Sequence, residues 1–472
     1  MEQTKKLGVK DILLLNVAAI LSIKQIPNVA PYGASSIILW VLAALGMFVP
    51  LAMVCGELST GWPEEGGFFI WIKEAMGERI GWLNVFLYLC SCVVYFPVTL
   101  QFMTTTIGYA ISESLGQNKV FIGLTSIIIM WLLTFVNVKG MNWTKKINNL
   151  GAIFGVFIPS IVLILLAMYW VLTGHGMATN YSNINNWIPK LGEWNNIVFL
   201  SSMMFAFAGM EVAPMIAGHA KNPQKDFPRA IFLSAIIIVG IYIIGTISLN
   251  ALFLDKDSNI VAGIMQAIKA AAINLNIPWL VPLMAIFIAV GALAQINSWL
   301  IGPIYMLNVA TANNNLLGKE VGKVDENGTP RKALYIESTI VSIFCLFTFI
   351  SPSAEAAYWT LSALTTLVYF VPYLCMFISY VILKKKRKDV KRTFEIPGKV
   401  LPVVLPVLGF LSTLFAVILL FIPPAQVDTG SILIYELKIA GGGILACLVA
   451  DFIYLRAKRK TKLKDKVCNL NK

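Results

Sequence analysis

Apolar runs of about 20 residues or more recur along the whole chain, and that is the length an α-helix needs to cross the ~30 Å hydrocarbon core of a bilayer. In lipid a backbone must satisfy its own hydrogen bonds, so runs of this kind span as helices. About twelve candidate spans can be read: residues 10–34, 36–59, 82–111, 119–138, 148–173, 194–219, 228–254, 278–311, 333–351, 356–383, 400–423 and 432–456. The expected fold class is an all-α polytopic membrane protein. Composition agrees, since 58% hydrophobic and 13% charged residues leave too little polar surface for a soluble domain.

The formal net charge of +13 would also suit a nucleic-acid binder, so the placement of the charge has to decide. With the N-terminus inside, 31 of the 37 lysines and arginines fall on the cytoplasmic side. Lys119, Lys190, Lys256, Lys269 and Lys438 lie outside, and Lys24 lies within a span. That asymmetry is the positive-inside pattern and places both termini in the cytoplasm of a cell-membrane protein. Membrane lipid is the partner the charge implies, and no nucleic acid is expected. The seven cysteines are dispersed and His175 and His219 are isolated, so neither a disulfide framework, a metal site nor a cofactor is expected. The polar start from Met1 to Lys10 runs into a full span, so no cleavable signal is expected.

Two spans carry interruptions. The segment SSMMFAFAGMEVAPMIAGHAKNPQKDFPR, from Ser201 to Arg229, places Gly209 and Glu211 at bilayer depth, then Pro214, and leaves through Lys221, Lys225 and Arg229. A carboxylate near the bilayer centre costs about 2.5–3.5 kcal/mol, so Glu211 is expected to face a wet or polar interior. Gly209 by itself would also fit a kink that only eases packing. In the first span, NVAAILSIKQIPNVAPYG places Lys24, Gln25, Pro27, Asn28 and Pro31 where lipid would otherwise be crossed. The pattern predicts unwinding around Ala18 to Ser22; the alternative is a helix that ends near Lys24 and continues as an external loop. Lys24 has two readings, a cation facing the substrate vestibule or a snorkelling side chain.

Interruptions five spans apart predict a five-plus-five inverted repeat of the LeuT-type, with spans 1 and 6 broken and two extra C-terminal spans. The repeats would cover about 8–175 and 190–390, spans 11 and 12 about 398–457, and a basic tail 458–472.

After the second span come Glu57, Leu58 and Ser59, then Pro63, Glu64, Glu65, Gly66, Gly67 and an aromatic run. Physically, Pro63 and the paired glycines allow a sharp turn, and Phe68, Phe69 and Trp71 suit a short amphipathic helix anchored at the interface. Gly209-Met210-Glu211, the exit loop from Lys221 to Pro228, Asn327 to Pro330, and the run from Ala357 to Thr366 follow in order. This set resembles the amino acid-polyamine-organocation superfamily, and its double-acid turn and tenth span resemble the glutamate:GABA antiporter branch.

The resemblance covers nearly the whole chain and implies a substrate site between the broken spans. It puts Ala18, Ala19, Ile20, Leu21 and Ser22 at the carboxylate-binding break of span 1, in place of the more usual glycines. It puts Phe205 at an aromatic gate, Trp299 at an eighth-span aromatic, and Glu211 at a residue connected with gating and pH response. Ala206, Phe207, Ala208 and Gly209 would offer carbonyls to an ammonium group. Gly155 falls where proton-coupled relatives carry a lysine, which favours exchange over lysine-driven symport. A Lys24 in the cavity would repel dicationic amines and favour acidic or neutral amino acids.

The expectation is a secondary-active antiporter, not an enzyme, that exchanges an amino acid for a related metabolite, with glutamate/GABA first. A proton-coupled importer and exchange of tyrosine/tyramine or agmatine/putrescine are the alternatives, and a homodimer is left open.

Overall fold

The computed structural model describes residues 8–64, 66–139, 147, 150–177, 179–189, 197–211, 221–252, 260–312, 331–424 and 427–470. Pro214, His219, Glu65, Lys190, Lys256 and the Asn327 to Pro330 motif fall outside them, as do the side chains of Ala18 and Cys468. The described residues are helical: α1 Val9–Ile20, α2 Ser35–Ala43, α3 Val49–Gly61, α4 Phe68–Met76, α5 Glu78–Ile111, α6 Glu113–Gln117, α7 Lys119–Val138, α8 Ile158–Leu172, α9 Phe199–Phe205, α10 Pro223–Leu252, α11 Gly263–Asn274, α12 Leu280–Ala312, α13 Arg331–Ile350, α14 Ala354–Lys386, α15 Leu401–Leu419 and α16 Ile432–Leu470. α2 and α3 run on as one rod through a single π-helical turn, Ala44–Phe48.

Ten of these helices, counting α2 and α3 as one rod and α8 with the π-helical turn before it, are long and apolar enough to cross a membrane. Their outward faces are apolar: Val403, Val407, Leu411 and Ile418 on α15, and Leu433, Leu437, Ile444 and Leu448 on α16, are all exposed. In water such continuous faces would aggregate, whereas in lipid they are matched to the solvent. The chain is a multi-pass membrane protein.

α1 and α9 are not among the ten. α1 has 12 residues and so a length of about 18 Å, too short to span. Leu21 and Ser22 are extended, and 3₁₀ turns at Ile23–Gln25 and Ala30–Tyr32 carry the chain on to α2. The helix therefore runs two residues past Ala18 before it unwinds. The segment after it is not an external loop, because Lys24, Gln25 and Asn28 are buried. Gln25 Oε1 accepts from Asn28 Nδ2 and Ser202 Oγ, each at 3.2 Å, and these bonds tie the unwound segment to α9. α9 ends at Phe205, and the chain turns through residues 206–211. Gly209 has φ +117°, a conformation that L side chains rarely adopt, and a Cβ there would sit 3.1 Å from Ile20 Cγ1.

The aromatic run after α3 corrects an expectation. α4 forms, but Phe68, Phe69 and Trp71 are buried and do not float at the interface; Phe68 packs 5.0 Å from the ring of Tyr88. Gly155 lies in a π-helical turn, Gly151–Phe157, pressed against α12. A Cβ at Gly155 would fall 2.0 Å from Gly291 Cα, so the position has no room for a lysine.

Glu57, near the end of α3, is fully buried and gathers the neighbouring segments. It accepts from Tyr380 Oη at 2.9 Å, Lys384 Nζ at 2.6 Å and Ile396 N at 2.8 Å. Lys384 also donates to Glu395 at 2.8 Å, and that bond holds the Glu395 carboxyl below its ordinary range.

Candidate functional site

The ends of α1 and α9 meet at a buried cavity of about 30 Å³. Its walls include Ala19, Ile20 and Ser22 from the α1 break, Phe205, Ala206 and Ala208 from the α9 break, Cys92 and Tyr95 from α5, Trp299 from α12 and Tyr369 from α14. Helix ends leave carbonyls and N–H groups without helical partners, which is why a polar small molecule can be held there. A volume near 30 Å³ suits only a water or two, so a larger guest would need the walls to move apart.

Phe205 and Trp299 both face the cavity. The Phe205 ring lies 5.5 Å from Tyr369 and 6.0 Å from Tyr95, and Trp299 lies 6.4 Å from each of those two tyrosines. Four aromatic rings thus line one cavity.

Other expected residues sit elsewhere. Leu21 and Gly209 are buried but do not line the cavity. Phe207 points away, into a box formed with Phe48, Trp40 and Tyr242 at 4.5, 5.5 and 5.7 Å. Lys24 lies in a smaller neighbouring cavity of about 10 Å³, which shares Gln25, Tyr95 and Phe205 with the first. Its amino group is 2.7 Å from Thr99 Oγ1 and 3.8 Å from the centre of the Tyr95 ring. It is neither in the main cavity nor snorkelling to an interface.

Glu211 is fully buried beside the cavity. The Tyr369 hydroxyl donates to one carboxyl oxygen and Tyr373 Oη to the other at 2.7 Å. Tyr373 Oη also accepts from Gly209 N at 3.1 Å, so the acid and the α9 break share one tyrosine.

Sequence reasoning missed Tyr242. Its hydroxyl accepts from Ser22 N at 3.1 Å and lies within donating distance of Ile20 O at 3.0 Å and Ala206 O at 3.1 Å. It therefore joins the two breaks, and the Ala206 carbonyl expected to meet an ammonium already has a partner. Tyr369 and Tyr373 were also missed, although their i, i+4 spacing puts them on one face of α14.

The family profile described as "Amino acid permease" matches residues 7–445. The chain belongs to the amino acid permease family. Among its relatives is an uncharacterized transporter of Legionella pneumophila, 31% identical over 447 residues that cover 94% of this chain and 96% of the relative. A glutamate/gamma-aminobutyrate antiporter of Lactococcus lactis is 28% identical over 95% of this chain and 90% of its own length. A cadaverine/lysine antiporter of Escherichia coli is 27% identical over 73% of this chain and 76% of its own. The resemblance expected from the motifs holds, and in this permease the matched region contains both helix breaks.

Proposed function

We propose that this permease is a secondary-active antiporter of the cell membrane that exchanges an amino acid for a related metabolite or decarboxylation product, with glutamate/GABA the favoured pair. The observation that carries this reading is the convergence of two helix breaks on one buried, aromatic-walled cavity. α1 and α9 act as the first halves of broken spans 1 and 6, which brings the count to twelve spans in a five-plus-five arrangement with spans 11 and 12 added. Both termini are cytoplasmic, as the distribution of basic residues supports.

In the cycle, the substrate carboxylate approaches the α1 break and its ammonium the α9 break, where the Tyr242 hydroxyl gives up one of its carbonyl partners. Phe205 and Trp299 close over the substrate, and Glu211 with Tyr369 and Tyr373 holds the inner side shut. Exchange follows when the empty carrier reorients slowly. The chain is a carrier and carries out no bond chemistry. An apolar groove of about 690 Å³ between the α2–α3 rod and α10 supports membrane lipid as a partner.

The test is uptake into proteoliposomes preloaded with glutamate, GABA, tyrosine, tyramine, agmatine, putrescine or buffer. Uptake that requires one internal partner is expected and names the pair. Equal uptake into buffer-loaded vesicles leaves a uniporter or a proton-coupled importer.

A further inference from the structure

α13 buries the stripe Ala333, Leu334, Glu337, Ser338, Val341, Cys345 and Thr348 against α5 and α7. Its neutral polar members are paired: Ser338 Oγ lies 2.5 Å from Thr134 Oγ1, and Thr348 Oγ1 accepts from Gln101 Nε2 at 2.6 Å. Glu337 is different. It is 5% exposed, and both carboxyl oxygens are buried without a hydrogen-bond partner among the described residues.

The charged residues of the helices packed against α13 stand at helix ends: Glu78 and Arg79 on α5, Lys119 on α7, and Glu355 with Lys384, Lys385 and Lys386 on α14. On α13 itself, Arg331 and Lys332 are exposed in the first turn. Deeper in these helices the titratable groups are tyrosines and thiols. Cys92, on the α5 helix against which α13 packs, lines the cavity.

A carboxylate anion in such a place would lose its hydration with neither a donor nor a cation among the described residues to replace it. A neutral carboxylic acid avoids most of that loss. Intramembrane acids that must change charge are the usual proton carriers of transporters.

We infer that Glu337 is a proton-binding site coupled to the transport cycle. It holds a proton while the cavity is closed and releases it to water when the cavity opens and wets the α5–α13 seam. Loss of the proton disfavours the closed state, so exchange slows as pH rises. This rests on the exchange reading above.

The experiment compares wild type and Glu337→Gln in proteoliposomes across a pH series, with and without internal counter-substrate. Above the titration of the site, wild-type exchange should fall about tenfold per pH unit, the slope of a single ionising group. The permanently neutral Gln variant should keep a flat profile within about twofold. Identical pH profiles overturn the proposal, whether or not uptake depends on counter-substrate, which is read in the same vesicles and judges exchange separately. Infrared spectroscopy of the purified wild type provides a readout that does not need a folded variant. A protonated-carboxyl band that shifts in heavy water is expected at neutral pH, and its absence overturns the assignment.

Discussion

The Tyr242 hydroxyl lies 3.0 Å from the carbonyl oxygen of Ile20, the last residue of α1. The same hydroxyl accepts from Ser22 N and reaches Ala206 O, so one side chain of α10 bridges both helix breaks. Tyr242→Phe removes the bridge but preserves the stack on Trp40, whose ring is 4.6 Å away and nearly parallel. It should leave buried backbone groups unpaired at a cost of about 1–3 kcal/mol. A lower melting temperature together with impaired exchange is expected; wild-type values for both would show that the bridge is dispensable.

Glu211 and Gly209 meet at Tyr373, and that sets two variants apart. Tyr373→Phe removes a partner from both the acid and the backbone N–H, whereas Glu211→Gln keeps an acceptor for one tyrosine. Tyr373→Phe should therefore lower the maximal exchange rate more than Glu211→Gln does, and more than it raises the KM. A change confined to KM would place Tyr373 in substrate binding instead.

Lys24 stands one chamber away from the main cavity, so the proposed selection against cationic amines would act through charge and not contact. Lys24→Gln should raise uptake of cationic amines relative to glutamate, measured as a ratio in the same vesicles. An unchanged ratio would end the charge-selection argument, including the preference for glutamate over agmatine/putrescine.

The Glu57 cluster gives a pH-dependent stability prediction. Because the folded Glu395 carboxyl sits below its ordinary range, its contribution is present at neutral pH and is lost as pH falls through the folded value. Glu395→Gln should cost at most about 1 kcal/mol, since the pair is exposed, and the difference should vanish on acidification. Glu57→Ala should cost about 3–5 kcal/mol, because it removes the carboxylate that stands 3.7 Å from the buried Arg392 guanidinium and takes the acceptor from Tyr380 Oη and Ile396 N. Thermal melts across pH distinguish the two.

The run lengths of the apolar segments determined that this chain crosses a membrane as helices, because lipid allows a backbone few other ways to pair its polar groups. Gly209, Glu211, Lys24 and Gln25 marked where the helices break, because each is costly inside an unbroken span. Motif order was enough to indicate the family. The partners of those residues were decided only by tertiary structure: Tyr242 stands 222 residues along the chain from Ile20, and Phe207 and Phe205, two positions apart, face opposite ways. Side-chain direction past a helix break follows no period, so the sequence could not separate the ring that lines the cavity from the ring that packs behind it.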